Sequence, residues 1–80
     1  MEGLSVGRIV HYFHPDLDGP RAAIIVRVWG TTGTVNLQVL RDGSNDRPSV
    51  ADWQTSVQHI SQFPDPDNKP SVYWDWPARA

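Results

Sequence analysis

Thr34 to Arg41, TVNLQVLR, alternates cleanly between apolar and polar positions. Val35, Leu37 and Val39 fall on one side and Asn36 and Gln38 on the other, the two-residue period of a strand with one buried face. The stretch before it, Arg21 to Trp29 (RAAIIVRVW), is rich in β-branched residues and reads as a strand of its own. Ala22, Ile24, Val26 and Val28 share one face; Ala23, Ile25, Arg27 and Trp29 share the other. Both faces are largely apolar, which predicts a central strand. Gly30-Thr31-Thr32-Gly33 supplies the glycines that a hairpin turn needs. The expected core of this hairpin is Ile24, Val26, Val28, Val35, Leu37 and Val39, so a carboxylate placed at Val26 or Leu37 is expected to destabilise the fold severely.

The rest of the chain reads as shorter strands between turns. Val6 to Phe13 (VGRIVHYF) predicts a first strand with Ile9, His11 and Phe13 on one side and Val10 and Tyr12 on the other. HPDLDGP and residues 42–52 carry the Pro, Gly, Asp and Asn of loops. Trp53 to Val57 predicts a fourth strand, and Val72 to Trp76 a brief fifth, stopped by Pro77. Residues 64–70, with Pro64, Pro66 and Pro70, predict an extended connector. No stretch has a sustained helical period, and only residues 50–60 have room for a short helix. About five short strands predict an all-β domain: a small SH3-like barrel or a rolled antiparallel sheet, since closure removes vulnerable edges. Residues 1–80 are read as one β domain, with 64–80 a connector followed by a terminal strand or a docking arm.

Composition narrows the function more than the fold. Eighty residues make one thin core. Without cysteine there is neither a disulfide nor a thiolate metal site. MEGLSVGR lacks the basic and apolar regions of a signal peptide, and no apolar run approaches the roughly 20 residues of a membrane span. The net charge is −2 and Lys69 is the one lysine, so nucleic acid is a disfavoured partner.

Candidate chemistry is sparse. His11, His14 and His59 show no metal-ligand spacing. Asp42, Ser44 and Asp46 have the alternate spacing that opens a calcium loop, but Arg47 stands where glycine is required and no closing Glu follows. Asp16 with Asp18, and Asp65 with Asp67, lie in proline-bounded loops rather than an enclosing cleft. No serine sits in a GxSxG motif, and the Gly30–Gly33 turn is not a phosphate loop. The expectation is no enzyme, no cofactor and no metal.

Two resemblances add a setting. A glycine before "xIVxY", an apolar strand, a Gly turn and "TVNLQVLRDG" resemble the opening half of Tudor- or KOW-type SH3-like barrels, over roughly residues 6–43. GRIVHYF, AIIVRVW, NLQVLRDGSND and the terminal WDWP together resemble a family of small proteins encoded in tailed phages and prophages, without an assigned function. In that family His or Ser usually separates the last two tryptophans, where this chain has Asp75.

What the second resemblance implies is a phage accessory protein that works by protein–protein contact. Its place is the virion or the cytoplasm of the infected bacterial host. The expected role is a small virion component, a capsid decoration or cement protein or a minor structural protein. Its partners would be the major capsid protein, another virion protein or a second copy of itself. The alternative is an SH3-like regulatory module acting on a host protein or nucleic acid. The partner-binding candidates are the aromatics Trp29, Trp53, Tyr73, Trp74 and Trp76, large enough to anchor an interface. For Trp29 and Trp53 the reading preferred over binding is that they fill the thin core, since small domains need large side chains. Trp74 and Trp76, two apart on one strand face, either close the barrel or form an arm that docks on a neighbour. With no metal expected, EDTA should leave the melting temperature unchanged; a clear fall would make the Asp42–Asp46 loop a structural ion site.

Overall fold

Five antiparallel strands and one turn of 3-10 helix make up the computed structural model, which describes residues 3–17, 19–41, 43, 50–63, 65 and 71–77. The strands are β1 (Ile9–Phe13), β2 (Arg21–Trp29), β3 (Thr34–Val39), β4 (Trp53–Val57) and β5 (Tyr73–Asp75), with the 3-10 turn at Ile60–Gln62. The all-β class and the five-strand count match the expectation. Asp18, the Asp42–Ser44–Asp46 spacing, Asp67 and the connector prolines lie outside the described residues.

The sheet order is β4-β3-β2-β1-β5. Every pairing between strands is antiparallel. The sheet rolls until its ends meet. Trp74 pairs with Tyr12 on one side. On the other side it forms a parallel bridge with His59, just beyond β4, and its N–H donates to the Gln58 carbonyl at 3.1 Å. Between β2 and β3 the chain reverses through Gly30 and Gly33, whose φ values of 66° and 103° lie where a Cβ would clash.

Inside the roll lie Val10 and Tyr12 of β1, Ala23 and Ile25 of β2, Val35, Leu37 and Val39 of β3, Val57 and Trp74, with Leu17 and Val50 from the loops. The inner face of β3 is the one its alternation predicts. The face predicted for β2 needs correction. Ile24 and Val26 point outward and Ala23 and Ile25 point in. The strict alternation fails because a bulge between Ile25 and Arg27 inserts one residue and shifts the register. Val28 therefore returns to the core side, opposite Val35. An apolar residue on each face of β2 left the choice of face open to error; the bulge and the partner strands settle it.

Tyr12 and Arg21 face each other across β1 and β2, and both are buried. Burial pushes the Tyr12 hydroxyl up to about 12, with the Arg21 charge acting the other way. The folded chain therefore binds this proton more tightly than the unfolded chain does. The stabilisation is complete below about pH 10, the ordinary phenol value, and is lost as pH rises toward 12.

Leu37→Asp should unfold the protein, costing on the order of 4 kcal/mol or more for an unpaired buried charge. Val26→Asp, on the outer face, should cost less than about 1 kcal/mol. Urea melts of the two variants check the assignment of faces, and equal costs would contradict it.

Candidate interaction surface

On the outer face of the roll a row of side chains crosses four strands and is apolar except at Gln38. Ile9 pairs with Ile24, Ile24 with Gln38, and Gln38 with Trp53. Residues opposite one another in a sheet project to the same face, so these four form one row about 15 Å long at the usual strand spacing. Its ends are open to water: Ile9 is 56% exposed and Trp53 66%. The next row runs Asp75, His11, Ala22 and Leu40, the last tied to Ala22 by its N–H at 2.9 Å. Val26 and Leu40 widen the apolar strip.

The five aromatic candidates separate into three groups. Trp53 stands on the outer row; it fills no core. Trp29 is 43% exposed at the end of β2. The Arg27 guanidinium lies 3.9 Å over its ring, and its Nε1–H donates to Asn36 Oδ1 at 2.9 Å. The same Asn36 oxygen accepts the Ser56 N–H at 2.9 Å. Ser56 has φ of 55°, where β4 bulges against β3, so Asn36 supplies the acceptor that the ladder withholds. One amide thus fixes both the bulge and the indole.

Tyr73 stacks on Phe13, ring centroids 4.6 Å apart and planes 16° from parallel, leaving no gap for a ligand between them. Trp74 is wholly enclosed at 0% exposure, and its Nε1–H donates to the Gly33 carbonyl at 2.6 Å. Trp76 packs edge-on to Trp74 at 5.0 Å, under the Arg8 guanidinium at 5.4 Å. Of the two roles open to the Trp74/Trp76 pair, the structure has barrel closure. An arm that leaves the domain would expose Trp74, whose surroundings are its own chain.

A polar cluster that spacing along the chain does not announce lies behind β5. His59 Nε2 is 3.1 Å from Asp75 Oδ1, and His59 Nδ1 is 2.7 Å from Ser61 Oγ. Such an order of groups resembles a nucleophile relay. However, the Ser61 backbone N–H also donates to Nδ1, at 3.0 Å. That bond puts the ring proton on Nε2, facing Asp75. The lone pair is engaged in capping the 3-10 turn, and the ring is wedged against Trp74 at 4.5 Å. The geometry is that of an N-cap and a strand clasp. Among the described residues no group of three or more His, Asp or Glu converges as a metal site.

Set against known proteins, the chain matches no family model, no curated protein and no solved structure.

The outer row is the feature that sequence reasoning missed. Its signal lies in Ile24 and Val26, which the two apolar faces of β2 lead the sequence to place in the core, in Trp53, which has both a core and a binding reading, and in Ile9, for which the sequence chooses no inward face. His59→Ala should cost about 2–4 kcal/mol, through a lost cap and a cavity beside Trp74. Trp53→Ala should cost less than about 0.5 kcal/mol. Chemical denaturation of both variants checks that one residue is structural and the other a surface group.

Proposed function

We propose that this protein is a non-enzymatic binding module that acts by protein–protein contact through the outer face of its sheet. One observation carries the reading: a row of side chains, apolar except at Gln38 and ending in an exposed Trp53, stands on the outer face of the sheet, where the core has no need of it. Large apolar groups gathered on one face of a small domain are a docking signature, and Trp is an effective anchor. The described arginines favour a protein over a phosphate backbone. Arg8 lies on Trp76, Arg27 on Trp29, Arg41 beside Asp52 at 3.5 Å, and Arg21 is buried. None of them forms a basic stripe with another.

The setting comes from the resemblance of GRIVHYF, AIIVRVW, NLQVLRDGSND and WDWP to the small phage-encoded proteins. The module is then a virion component, a capsid decoration or cement protein or a minor structural protein. Its partner is the major capsid protein or another protein of the particle. The rolled five-strand sheet supports an SH3-like comparison as well.

Mass spectrometry of purified phage particles should find the protein in stoichiometric amounts. A double variant, Ile9→Ser with Trp53→Ser, should keep the parental circular dichroism and be lost from the particles. Absence of the parent protein would move the reading to an intracellular module that acts on a host protein. Full retention of the double variant would remove the outer face as the contact.

A further inference from the structure

We propose that the proline-rich connector makes β5 an exchangeable arm: two copies of this chain swap their terminal strands, so that Trp74 of each closes the roll of the other. The inference concerns closure of the core and does not rest on the outer face or its partner.

The arm and its slot belong to separate stretches of the chain. Tyr12 pairs with Trp74 and Phe13 with Tyr73. Gln58 accepts the Trp74 backbone N–H at 3.1 Å, and the Gly33 carbonyl accepts its indole N–H at 2.6 Å. His59 lies 3.1 Å from Asp75 and packs on the Trp74 ring. All of these partners precede the 3-10 turn, and the arm begins after the connector, at Tyr73. These contacts tie the arm to a slot and not to one copy of the chain. An identical arm from a second copy makes the same bonds.

The connector supplies the bias toward exchange. Nine residues, 64–72, include Pro64, Pro66 and Pro70. A spacer of proline-rich composition is extended and semi-rigid, and nine residues of it span about 28 Å. The domain itself measures 32 × 31 × 28 Å. Yet the points that the connector joins are neighbours. The 3-10 turn lies against β5, and Trp74 bridges to His59 immediately before that turn. Closing the roll within one chain therefore requires a stiff spacer to double back. Between two copies the same spacer runs straight from one body to the next.

Complementarity names the occupant. The slot is fitted to this segment: an indole enclosed at 0% exposure, bonded to a carbonyl 41 positions away, and a tyrosine stacked on Phe13 at 4.6 Å. A second copy carries the same segment. Exchange keeps these contacts and leaves Trp74 out of water, so closure is undiminished; what opposes it is the lost freedom of two bodies, which concentration offsets. The net charge of −2 on each copy adds only a weak, screened repulsion. Reversal requires Trp74 to pass through water, so an exchanged pair comes apart slowly.

Refolding from urea at millimolar concentration should give a species of twice 9.0 kDa that stays dimeric when diluted, while refolding at micromolar concentration gives the 9.0 kDa monomer. Phe13 and Tyr73 stand opposite each other and the chain has no cysteine, so cysteines at these two positions report whose arm fills whose slot. Phe13→Cys and Tyr73→Cys, refolded together under oxidising conditions, should yield a disulfide-linked heterodimer. The double variant refolded at micromolar concentration should instead close the bond within one chain. Pro64→Gly, Pro66→Gly and Pro70→Gly together should lower the dimer fraction several-fold. A monomer at every refolding concentration would overturn the proposal. So would equal cross-linking when the two native single variants are merely mixed, since their arms are already docked. A double variant that closes no bond, or a dimer fraction that the glycines leave unchanged, would overturn it as well.

Discussion

Trp74 is the residue around which the roll closes. Its backbone is shared between β1 and the segment after β4, so it joins the two ends of the sheet. Its indole reaches through the core to the Gly33 carbonyl at the β2–β3 turn, a residue 41 positions away in sequence. Three distant parts of the chain therefore meet at one side chain. In a core this thin, a single indole supplies a large share of the apolar area removed from water. The polar groups behind it serve the same closure. His59 caps the 3-10 turn with one nitrogen and holds Asp75 with the other, while its ring packs on Trp74.

Closure has a consequence for the outer surface. Because Trp74 and the inward residues of β1, β2 and β3 complete the core, the apolar residues on the opposite face have no interior to enter. Ile9, Ile24 and Val26 are left on the outer face of the sheet beside Trp53. The bulge in β2 contributes directly. It inserts a residue after Ile25, so the strand presents Ala23 and Ile25 inward at one end and Val28 inward at the other. The bulge in β4 is held by Asn36, whose side chain accepts from both Ser56 and Trp29. Two local irregularities thus decide which side chains a partner would meet. Trp29, with Arg27 stacked on it, lies at one end of the sheet, while Trp53 stands on the row that crosses it.

The same arrangement bears on the proposed roles. A docking surface made from strand residues in register is preorganised, so little side-chain freedom is lost on contact. The chemistry a Ser–His–Asp order could suggest is bound into the fold instead, with the imidazole lone pair facing the backbone of its own turn.

The sequence by itself determined the class of fold, the number of strands and the inner face of β3. Val35, Leu37 and Val39 alternate with polar neighbours, and a period of two with one polar face admits a single burial. It also determined the hairpin turn, because Gly30 and Gly33 permit backbone angles that other residues resist. The face of β2 was not legible, since Ile24 and Val26 are as apolar as Ala23 and Ile25, and a bulge leaves no mark in hydrophobicity. Nor was the division of the tryptophans. Trp53 and Trp74 carry the same side chain, and burial follows from where each strand lies relative to the others. β5 enters between β1 and the end of β4, which encloses Trp74. β4 lies at the sheet's edge with Trp53 on the outer row, which leaves it in water. Only the tertiary structure decides this, because burial depends on neighbours distant in the chain, and the local pattern specifies period but not partner.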